Sequence, residues 1–70
     1  MDNKRERFKR LAEYRTNEVL KRIRVLGNCS NRSAYEFTEE EINKIFSVID
    51  KAVKETKAKF HFSKNNKFKL

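Results

Sequence analysis

Phe37-Thr38-Glu39-Glu40-Glu41-Ile42 writes the start of a helix in three ways at once. The Thr38 hydroxyl can accept a hydrogen bond from a backbone N–H that the first helical turn leaves without a partner. Glu41 follows three residues later and can reach back to the Thr38 N–H, which completes a capping box. Phe37 and Ile42 occupy the two positions of a hydrophobic staple. The three glutamates also place negative charge at the positive end of the helix dipole. This start fixes the register of everything that follows it.

Downstream, Ile42, Ile45, Phe46, Ile49, Ala52, Val53 and Phe60 trace an apolar stripe at helical spacing, with Thr56 filling the gap. Lys44, Lys51, Lys54 and Glu55 lie on the other side. The pattern predicts a helix from about 38 to 60. Upstream, Phe8, Ala12, Val19, Ile23 and Leu26 keep to one face at about 100° per residue, which predicts a first helix over about 3–26. Gly27 follows directly, where a left-handed C-cap residue is expected. Between the helices, residues 27–37 are polar and rich in Asn and Ser, which bond to nearby backbone and favour turns. Ser30 or Ser33 is expected to cap a short turn there.

The chain has one Gly and no Pro in 70 residues, which suits long helices and not a turn-rich β fold. The expected fold is all-α: an antiparallel helical hairpin over residues 1–62, followed by a basic tail over 63–70. A chain this short has a marginal core, and two helices bury a single seam. Dimerisation into a four-helix bundle would bury the remainder. Phe68 and Leu70 are the apolar residues of the tail beyond Ser63.

The net charge of +8 is unevenly placed. Residues 1–26 hold nine Lys/Arg against four Asp/Glu, residues 27–60 are balanced, and residues 61–70 hold three Lys. Opposite the first apolar stripe run Arg7, Arg10, Tyr14, Asn17, Lys21 and Arg24. Steps of three and four keep them on one strip about 25 Å long. Arg, Lys and Asn bond to phosphates, and an exposed Tyr can stack on a base. Arg32 in the connection and Lys64, Lys67 and Lys69 in the tail extend the basic set. Glu6, Glu13 and Glu18 interrupt it, as they would interrupt an ordinary solvated face.

Arg15 and Arg22 fall on the first apolar stripe. They either snorkel to water or bond to Asp50 or Glu41 on the second helix, or they project toward a phosphate or a partner. The loop Asn28–Ser33 either satisfies its own backbone or cradles an anion with its N–H groups and Arg32.

Catalytic chemistry is poorly provided for. The single Cys29 and single His61 make no metal-ligand cluster, and one Gly cannot build a phosphate-binding loop. A Cys29–His61 nucleophile pair would need a closed pocket that a helical hairpin does not offer. The expectation is a non-enzyme without cofactor, metal or small-molecule substrate. A lone Cys, and no apolar run behind the basic N-terminus, point to a reduced cytoplasmic setting without a signal peptide or membrane span.

Leu26-Gly27-Asn28-Cys29-Ser30-Asn31-Arg32-Ser33, Tyr35-Glu36-Phe37-Thr38-Glu39-Glu40 and Lys44-Ile45-Phe46 resemble the core of a group of short bacterial and mobile-element proteins. That core reads LGN-x-SNRS, Y-x-YTEE and KIF between two helical stretches. The resemblance covers roughly residues 8–60. It implies a bacterial or phage origin and supplies no catalytic role. Cys29 stands where that group carries an aliphatic residue, which argues against a thiol-dependent function.

Taken together, these residues lead to a small basic helical protein that binds RNA, DNA or a nucleoprotein through phosphate contacts from helix 1 and the tail. The rival reading is a phage or mobile-element regulator that binds and inhibits a larger nucleic-acid enzyme, as an anti-CRISPR-type protein does. A purely structural homodimer is a third. Binding to a membrane surface is disfavoured by the tail's few apolar anchors.

Overall fold

Asn3 sets the first helix. In the computed structural model, which describes residues 3–60, its side-chain carbonyl accepts the Glu6 N–H at 2.8 Å. That bond satisfies one of the donors left over by the first turn. The Arg7 N–H then reaches the Asn3 carbonyl at 3.0 Å and the ladder begins. α1 spans Lys4–Gly27, 24 residues or about 36 Å. Glu6 in its first turn and Arg24 in its last both complement the dipole.

The end of α1 corrects the expectation of a left-handed Gly27. That residue stays right-handed, with φ −59° and ψ −25°, and the chain tightens into one 3-10 turn over Asn28–Ser30. The Asn28 N–H bends back onto the carbonyls of Val25 and Leu26. Tightening of this kind satisfies orphan carbonyls without a reversal of hand, so no special backbone conformation is needed. A Cβ built on Gly27 meets nothing within 4 Å. Gly27→Ala is therefore expected to stabilise α1 by about 0.5–1 kcal/mol, read as a rise in helix content by circular dichroism. A left-handed glycine would give the opposite sign.

The connection is organised by Asn31 and not by Ser30 or Ser33. The Asn31 side-chain carbonyl accepts the Ser33 N–H at 3.0 Å. Its backbone carbonyl accepts the N–H groups of Ala34 at 3.1 Å and Tyr35 at 2.9 Å. An Asn side chain has the reach to bond its own backbone two residues on, and a hydroxyl does this more weakly.

α2 spans Glu39–Ala58 and starts as its sequence dictates. The Thr38 hydroxyl accepts the Glu41 N–H at 3.1 Å, and Glu41 Oε1 accepts the Thr38 N–H at 2.8 Å. The helix ends two residues before Phe60. There the Lys59 N–H bonds to Thr56 O and the Phe60 N–H to Lys57 O, both three-residue closures. An exposed ion pair, Lys51 Nζ to Glu55 Oε1 at 4.0 Å, adds little to its stability.

The chain divides into two units, before and after the Glu36–Phe37 bond. Among the described residues there is no strand and no fully buried side chain. Leu11, Ala12, Glu18 and Leu26 are half-buried in the first unit, and Phe37, Ile42 and Ile49 in the second. The half-burial of both Phe37 and Ile42 fits the staple. The rest of each stripe stands open: Ile23 is 43% exposed, Phe46 45% and Val53 55%. Two amphipathic helices thus present apolar faces that their own turns do not cover.

Candidate nucleic-acid interface

The strip rests on the regularity of α1. Arg7, Arg10, Tyr14, Asn17, Lys21 and Arg24 all lie within Lys4–Gly27, and all six are exposed. With no break in the helix, steps of three and four hold them on one side. From Arg7 to Arg24 the axial reach is about 25 Å. Tyr14 sits near the middle at 58% exposure, open to stack.

The sign of the field is clear. α1 holds nine Lys/Arg against three Glu. Glu6 and Glu13 border the strip on one side and Glu18 on the other, so the acids edge the basic lane and do not divide it. Arg15 and Arg22 are exposed along the apolar stripe, consistent with stems that lie on apolar surface and heads in water. Of the partners expected for them, Glu41 has Oε1 committed to the Thr38 N–H.

The connection does less. Arg32 is exposed, but the N–H groups of Ser33, Ala34 and Tyr35 are all given to Asn31. Those three donors are unavailable to a bound anion. Residue-type reasoning missed Asn31 as the organiser. The signal was present, since Asn is the residue best suited to bond its own chain in a turn. Lys64, Lys67, Lys69 and His61 lie outside the described residues.

No enclosed site accompanies the strip in the regions the structure describes. One open depression on α1 is lined by Ala12, Glu13, Thr16 and Asn17. Another follows α2 past Asn43, Phe46, Asp50 and Lys54. Cys29 is an exposed free thiol. Among the described residues no group of three or more His, Cys, Asp or Glu could hold a metal, and no helix is long and apolar enough to cross a membrane. The chain matches no protein-family model, no curated protein and no solved structure.

Proposed function

We propose that this chain is a small, non-enzymatic accessory protein that binds nucleic acid, or a nucleoprotein, through phosphate contacts along α1. One observation carries the reading: four cations, a tyrosine and an asparagine share one exposed lane of a single unbroken helix. Arg7, Arg10, Lys21 and Arg24 supply charge, Asn17 a directional donor and Tyr14 a stacking face. The tail lysines add long-range attraction for a polyanion. Phosphates dominate such a contact, so sequence preference is weak and RNA and DNA both bind.

The test is a titration of short RNA and DNA, single-stranded and duplex, from low to physiological salt. Four phosphate contacts give a log–log slope near −3.6 on duplex DNA, so affinity falls on the order of a hundredfold between 50 and 200 mM salt. Absence of binding at low salt would remove this reading. The exposed lane would then belong to an acidic protein surface, the setting of a regulator of a larger nucleic-acid enzyme.

A further inference from the structure

The charge of residues 38–60 sums to zero but is unevenly placed along α2. Glu39, Glu40 and Glu41 fill the first turn, whereas Lys51, Lys54 and Lys57 lie in the far half and Lys59 caps its end, with Lys44, Asp50 and Glu55 interspersed. Between them the exposed and half-exposed residues Ile42, Ile45, Ile49, Ala52 and Thr56 step by three and four, the repeat of a helix–helix seam. Phe46 and Val53 flank that seam on one side. We propose that α2 docks on the α2 of a second copy of this chain, antiparallel, about a two-fold axis at Ile49.

The charges choose both the occupant and the direction. Glu39 and Lys57 are separated by about five helical turns, so they lie on the same flank of the seam at opposite ends. In an antiparallel pair, like flanks face each other. Glu39 of one copy then meets Lys57 of the other, and the two-fold axis makes the contact twice. Glu41, whose Oε1 also holds the cap, and Lys59, which caps the helix end, have the same spacing on the opposite flank. The midpoints of these two pairs fall one residue either side of Ile49, which is half-buried on the apolar stripe. A parallel pair would set glutamates against glutamates and lysines against lysines, a like-charge arrangement that opposes association. This inference does not depend on nucleic-acid binding by α1.

A charge-swap cycle on the full chain, read by sedimentation equilibrium without nucleic acid, tests it. The unaltered chain is expected to form a dimer. Glu39→Lys and Lys57→Glu should each weaken that dimer about tenfold, since each turns two attractive contacts repulsive. The double variant should recover most of the lost affinity. Local effects predict the reverse, because each change opposes the helix dipole and the double variant would be the weakest. Ile49→Asp, at the axis, should abolish the dimer. A chain that stays monomeric at all concentrations would overturn the proposal. So would a double variant weaker than either single, or a dimer indifferent to Ile49→Asp; either would place the seam elsewhere, α1 included.

Discussion

Reversal of Arg10, Lys21 and Arg24 to Glu is expected to abolish nucleic-acid binding at low salt and to leave the helix content of the chain largely intact. Each reversal removes two charges, so three lower the net charge from +8 to +2. Three of the four cations on the α1 lane disappear, and the loss of their released counterions should flatten the salt slope by about 2.7 on duplex DNA. The fold should tolerate the change because all three side chains are exposed. Arg24 is the exception to watch. It sits in the last turn of α1, where a negative charge opposes the dipole at a cost of about 0.3–1 kcal/mol. A parallel set with Gln at the three positions separates the effects, since it removes charge without opposing the dipole. Gln variants should bind weakly with a reduced slope, and Glu variants not at all. Unchanged affinity in both sets would take phosphate contact away from this face.

The reach of the sequence is clearest at α2. Thr38 and Glu41 name the cap by residue type and spacing alone, because the interaction is local and both partners lie within one turn. The two apolar stripes are legible for the same reason, since period alone decides them. Gly27 departs from the left-handed cap expected of it. Glycine after a helix permits a left-handed reversal but does not require one, and here a 3-10 turn satisfies the last carbonyls. Asn31 was obscured by its neighbours. Ser30, Asn31 and Ser33 can all bond nearby backbone, and their relative reach rather than their type decided the outcome. The basic lane was visible as a pattern of charge. Its continuity depended on α1 remaining unbroken from Lys4 to Gly27, which propensity along 24 residues makes plausible and geometry makes explicit. The Glu39–Lys57 relation escapes a reading by net charge because residues 38–60 sum to zero; only position along the helix reveals it.

Loss of the Thr38 hydroxyl should weaken α2 more than any other single exposed deletion within it. Thr38→Ala removes the acceptor that the Glu41 N–H reaches at 3.1 Å and leaves that donor without a protein partner. Caps of this kind contribute about 1 kcal/mol, with a range of 0.5–2. The consequence is larger than the figure suggests. A helix of 20 residues whose own turns bury no side chain has little tertiary packing of its own to fall back on, and such packing supplies most of the stability of helices in proteins. About 1 kcal/mol is then roughly a fivefold change in the helix equilibrium, visible by circular dichroism and as faster amide exchange at Glu41. Thr38→Ser and Thr38→Asp keep an acceptor in place and should retain most of the helix. Glu41→Ala removes the reciprocal bond, made at 2.8 Å to the Thr38 N–H. The two halves of the box hold the same backbone turn, so the double variant should lose less than the sum of the single losses. Strict additivity would mean that the two bonds act independently, and an unchanged Glu41 amide in Thr38→Ala would mean that the hydroxyl does not hold the first turn at all.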